Sequence, residues 1–286
     1  MNPDWAAVAA RALGFVCLYQ AAGAAFFVAS FGRELSCVRA RVCHLGALAA
    51  CCGVPLVLVQ SPLAAARMAG EYSGLFSGTL LRLAWHSNNA AAHAVQLSGL
   101  ALIVIGLRSR HRIAMHVAVL GAVLAAGALV LTGHTSVNPR RALLAPLLSV
   151  HLLVVAFWFG ALAPLWLALE HETLADAVKV LHRFSTLATW LVPGIALAGL
   201  AMAYILIDDT AVLRRPYGVL LLVKLCLFVV LMGLAAFNRW RLTPRLDAAA
   251  PPARGALQRS IVAEYLLIAV VLAVTATLTT LFSPED

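Results

Sequence analysis

Charge is scarce in this 286-residue chain, with Asp, Glu, Lys and Arg together making up 12% of it. An average soluble domain carries about twice that share, so an ordinary soluble enzyme is excluded. Six cysteines occur without a CxxC pair, which argues against a disulfide framework. No P-loop, GxSxG, HExxH or Gly-rich dinucleotide fingerprint is present. A nucleotide-driven pump is thereby set aside, and the chain is expected not to be an enzyme. Methionine is sparse too, five in all and without an MxxxM run, so a methionine-lined pore is not indicated.

Apolar residues dominate instead, at 63% of the chain with a mean hydropathy of +0.93. Runs long enough to cross about 30 Å of hydrocarbon fall at 6–31, 42–60, 85–107, 113–133, 143–169, 184–207, 217–238 and 260–282. The expected fold is therefore all-α: a polytopic membrane protein with eight transmembrane helices in one bundle, residues 1–286 forming a single integral membrane domain. The third span is interrupted by Gly, Ser, Asn and His, and a short surface or re-entrant helix is expected before it. The N-terminus has Asp4 and no basic stretch ahead of its apolar run, so it is counted as the first span and not as a signal peptide.

Net charge is +9, which in a soluble protein would point to nucleic acid. Here the basic residues sit in the gaps between apolar runs, so the charge reads as topology and no nucleic-acid partner is expected. Arg11 and Lys224 lie inside spans. Of the rest, thirteen fall in the loops after spans one, three, five and seven, against six on the opposite side. The positive-inside rule then places both termini outside, in the periplasm of a Gram-negative cell.

Ionisable groups at membrane depth cost roughly 2.5–3.5 kcal/mol each on insertion scales, so each one asks for a reason. His151 follows Arg141 by ten residues, about 15 Å along the fifth helix. The third span carries His86, Asn88, Asn89 and His93, and His134 closes the fourth. These four histidines are expected to form two rungs in the outer half, His86 with His134 at the mouth and His93 with His151 deeper. Imidazoles from separate helices suit a copper ion or an axially ligated haem b. Lys224, about 13 Å into the seventh helix, would pair with carbonyls, an anionic group or cavity water. The single intramembrane acid, Glu264, lies too far inward to pair with it directly. Met202 adds a soft group near the outer end of the sixth helix, and Trp158 shares a face with His151. Cys37, Cys43 and His44 form a candidate inner exit site favouring Cu(I). Pro55, Pro164 and Pro193 are expected to kink their helices.

With these spans placed, residues 130–282 resemble the copper resistance protein D (CopD) family of bacterial inner membranes. The resemblance rests on TGH at 132–134, SVHLLVVAFWFGAL at 149–162, RFSTLA at 183–188, LLLVKLCLFVVLMGLAAFNRWRLTP at 220–244 and RSIVAEYLLIAVVLAVTATL at 259–278. It implies an eight-helix protein of copper homeostasis that moves copper inward from the periplasm, often beside a small periplasmic copper-binding protein, CopC. By this likeness His134, His151, Trp158, Lys224, Asn238 and Arg239 fall on family motif positions. Two other readings compete: a haem b-binding membrane redox protein, and a non-transporting partner that hands copper to an oxidase.

Overall fold

Eight long apolar helices build the protein in its computed structural model, which describes residues 2–133, 138–206, 210–247 and 253–282. They are α1 (Pro3–Phe31), α2 (Arg39–Leu58), α3 (Asn88–Arg108), α4 (Ala114–Gly127), α5 (Arg141–His171), α6 (Leu174–Leu206), α7 (Pro216–Phe237) and α8 (Ala253–Leu281). No strand occurs among the described residues. Short helices at Gln60–Ala69, Gly78–Trp85 and Thr243–Asp247 complete the framework. His134 lies outside the described residues.

Local chemistry sets the helix ends. The Asn2 side chain accepts from the Asp4 amide at 3.1 Å, with Pro3 in the first turn, a favoured start for α1. Pro55 sits inside α2, and Val59 joins that helix to Gln60–Ala69. Gly70 then stops the chain in a left-handed conformation at φ 75°.

The third span differs from expectation at its start. Ser77 caps the helix Gly78–Trp85 by accepting from the Leu80 amide, and the backbone becomes extended at Ser87 before α3 begins. Leu83 and Trp85 on this short helix are exposed, as is Phe76 just before it. It is the short helix expected ahead of the third span. His86 caps it and does not belong to α3, so His86 and His93 are not one face of a continuous helix. Other helices overrun the hydrocarbon: α6 begins ten residues before the expected 184, which makes His182 helical, and His171 is the last residue of α5.

The core centres on α1 and α5. Helix α1 packs against α2, α4, α5 and α8, while α5 also meets α6 and α8. Gly23 and Gly160 bring α1 and α5 into backbone contact, since a Cβ on Gly23 would lie 2.2 Å from the Ala156 carbonyl oxygen. Close approach through small residues is the usual way to gain packing where lipid supplies no hydrophobic drive. The most apolar stretch of α5 is 72% buried inside the bundle, against 6% for α7. Helix α7 is thus peripheral.

Hydrogen bonds tie each end of the bundle. At the end carrying both termini, Arg67 donates to Asp4 at 2.8 Å and to the Thr280 carbonyl at 2.6 Å. Arg11 donates to the Thr279 carbonyl at 3.0 Å. Two guanidiniums therefore satisfy the last carbonyls of α8, which a helix C-terminus leaves without partners. At the opposite end, buried Glu172 accepts from Ser36 Oγ at 2.7 Å and from the Cys37 and Val38 amides at 2.8 and 2.9 Å. Burial opposes the charge on that carboxyl, but these donors outweigh it and hold Glu172 below the usual carboxylate range. Glu34 pairs with Arg183 beside it.

Candidate functional site

His151 is half-buried on α5 and turns its ring toward α6. Its Nδ1 lies 3.4 Å from the Ile195 carbonyl oxygen, and Gly199 leaves space beside Cε1. A carbonyl can only accept, so this contact places the proton on Nδ1 and frees the Nε2 lone pair. That is the tautomer a metal-binding imidazole uses. Lys224 of α7, also half-buried, is the charge within electrostatic reach of the ring. When protonated, Lys224 opposes the arrival of a second cation at this ring.

His93 has a different setting. Its Nδ1 is 3.3 Å from the hydroxyl of buried Ser61, and Arg11 is the charge acting on it. The hydroxyl can donate or accept, so the tautomer of His93 is open. Ser61 and Arg11 belong to the Gln60–Ala69 helix and α1, whereas His151 is framed by α6 and α7. Each half-buried imidazole therefore has its own partners. His86 is exposed, with Nδ1 3.0 Å from the Arg82 carbonyl of its own helix. Asn89 is exposed and Met202 is buried on α6. The side chain of Asn88 lies outside the described set.

At the other end, Cys37 is exposed with its amide on Glu172, and Cys43 is half-buried. His44 Nδ1 accepts from Arg108 at 3.2 Å, which puts its ring proton on Nε2. Among the described residues, no three His, Cys, Asp or Glu side chains come together as a metal-holding group. The expected inner trio is thus not assembled into one site among the described residues.

A second polar centre lies deeper. Asn238 donates through Nδ2 to Glu264, and the Trp158 indole lies close enough to act on the same carboxyl. All three are buried: Trp158 and Glu264 are 5% exposed and Asn238 8%. Asn238 opens a π-helical stretch, Asn238–Leu242, between α7 and Thr243–Asp247. The Thr243 hydroxyl donates to the Asn238 carbonyl at 3.0 Å. A single π turn inside a helix often marks a functional position, because it re-aims side chains and loosens backbone pairing. Trp158 thus reaches α8 at the Glu264 level, and Lys224 pairs with neither. Each of the three residues was visible as an isolated oddity of the sequence, but their meeting was not.

Residues 178–278 match the family described as Copper resistance protein D. One similar protein is "Inner membrane protein YebZ" of Escherichia coli strain K12, 33% identical over 110 residues, or 36% of this chain and 38% of that protein. Another is "Copper resistance protein D" of Pseudomonas syringae pv. tomato, 37% identical over 109 residues, 35% of each chain. The matched region thus spans little more than a third of either relative. No solved structure matches. The family match covers Lys224, Asn238, Arg239 and Glu264, and it begins after His134, His151 and Trp158.

Proposed function

We propose, taking the chain as a member of the copper resistance protein D family through residues 178–278, that it serves copper homeostasis as a multi-pass protein of the bacterial inner membrane. In this reading it is not an enzyme, and copper is its cargo. The ion enters from the side carrying the termini, taken as the periplasm because the opposite end holds most of the basic residues. A CopC-like periplasmic protein is the donor that fits such a route. His93 and His151 offer transient imidazole contacts in the outer half, and the polar centre at Glu264 lies further in.

The observation that supports this most is His151, a membrane-depth imidazole with Nε2 free and an ammonium nearby. Weak, single-ligand sites suit passage, since an ion held by a full cage would not leave. Metal analysis with a visible spectrum on one purified sample separates the readings. Copper without a Soret band is expected. A Soret band, or neither signal after expression in copper-replete medium, overturns the proposal.

A further inference from the structure

The Glu264 carboxyl has no cation beside it. None of the ion pairs among the described residues involves it, and its hydrogen-bond partner is one neutral donor, the Asn238 amide, with the Trp158 indole nearby. An ionised carboxylate presents about four lone-pair sites, so these neutral groups leave it undersupplied inside a bundle that excludes water. Asn238 Oδ1 is itself buried with no donor. A protonated Glu264 carries the O–H that such an acceptor lacks, and an ionised one does not. The π turn at Asn238–Leu242 puts adaptable backbone at this point.

Titratable side chains on the packed elements are Asp4, Arg11, Cys17 and Tyr19 on α1, Arg141, His151, Glu170 and His171 on α5, Tyr217, Lys224 and Cys226 on α7, and Arg239, Arg241, Arg245 and Asp247 beyond it. None of them is hydrogen-bonded or ion-paired to Glu264 among the described contacts. Arg239 instead donates to the Ser185 carbonyl and hydroxyl. Tyr265, the next residue on α8, stacks on Phe159 with centroids 4.5 Å apart. Among the described contacts the carboxyl therefore has no charged partner.

We propose that Glu264 is an intramembrane proton site: a neutral carboxylic acid at rest that releases its proton as a cation passes the bundle. The step is Glu–COOH to Glu–COO⁻ plus H⁺, with no electron transferred and the proton leaving to water at the basic end. For a monovalent ion such as Cu(I), binding one positive charge while losing another keeps the site's net charge constant. The coupling rests on the copper-transport reading above, whereas the resting protonation state does not.

Infrared difference spectroscopy on the full-length protein in lipid tests the resting state. The wild type is expected to show the C=O stretch of a buried neutral carboxyl above the pH range in which ordinary Glu side chains ionise, shifting on H/D exchange and absent in Glu264→Gln. Glu264→Asp should move the band, which separates loss of the group from loss of the fold. Identical wild-type and Glu264→Gln spectra overturn the proposal. Vesicles loaded with a pH-sensitive dye test the coupling, and copper addition should release protons for the wild type and not for Glu264→Gln. Copper entry without proton release overturns the coupling while leaving the transport reading standing. Failure of wild-type copper entry overturns the transport reading and the coupling with it, and leaves the infrared result to decide the proton site.

Discussion

Asn238 donates its side-chain amide to Glu264 across the join between α7 and α8, and both residues are buried. Twenty-six positions apart in sequence, they are one polar link, beside the Arg239–Ser185 bonds, that fastens the otherwise peripheral α7 to the bundle. Removing one partner leaves the other buried without a hydrogen bond, a loss of about 1–3 kcal/mol. Asn238→Leu should therefore lower the thermal midpoint in detergent, and the double variant Asn238→Leu/Glu264→Leu should recover part of the loss. A double variant no better than the single one would show that the bond contributes little.

Helices α1 and α5 meet at Gly23 and Gly160, where an added Cβ would lie 2.2–2.5 Å from the facing backbone. Gly160→Ala must push the helices apart, and overpacking of this kind costs typically about 1–3 kcal/mol. Gly194 and Gly233 face open space, so Gly194→Ala and Gly233→Ala serve as controls. Within a helix they should be neutral or stabilising by up to about 1 kcal/mol. Thermal unfolding followed by circular dichroism measures all three. Equal midpoints would contradict the close α1–α5 contact.

The Glu172 clasp gives stability a pH dependence. Its folded carboxyl titrates below the ordinary range because Ser36, Cys37 and Val38 donate to the charged form more than burial opposes it. A lowered folded value means the contribution is complete above the unfolded carboxyl's range and is lost as pH falls through the folded one. Wild-type unfolding midpoints should therefore drop on acidification below the usual Glu range. Glu172→Gln should start lower at neutral pH and fall less steeply, and parallel curves would show that the clasp is not the source.

Lys224 opposes a cation at His151 by its own charge. Lys224→Met keeps the length and removes the ammonium, so copper should bind several-fold more tightly and leave more slowly. Isothermal titration and dissociation into a chelator check this. Weaker binding in Lys224→Met would mean that the lysine recruits an anionic ligand instead.

The eight spans were legible because hydropathy depends only on local composition, and each apolar run became a helix. Boundaries were legible only where the membrane ends a helix. Leu174 to Arg183 is charged enough to read as a loop, yet it continues α6 beyond the hydrocarbon. His86 read as part of the third span because Trp85 and Ala84 are apolar, while the break at Ser87 is a matter of backbone geometry. The depth of His151 could be counted from Arg141, and its contact with Ile195 could not, since helix rotation leaves little trace in hydropathy. For the same reason Trp158, Asn238 and Glu264 were conspicuous singly and met only in the fold.

Copper movement through purified protein is the most direct measurement. In proteoliposomes containing a fluorescent copper chelator, wild-type protein should quench or brighten the probe in a time-dependent, saturable way. His151→Ala should slow that signal at least about tenfold, the loss of roughly 1.4 kcal/mol of stabilisation along the path, with its helical content unchanged. Equal rates for the wild type, His151→Ala and protein-free vesicles would contradict a histidine-borne copper route through this bundle.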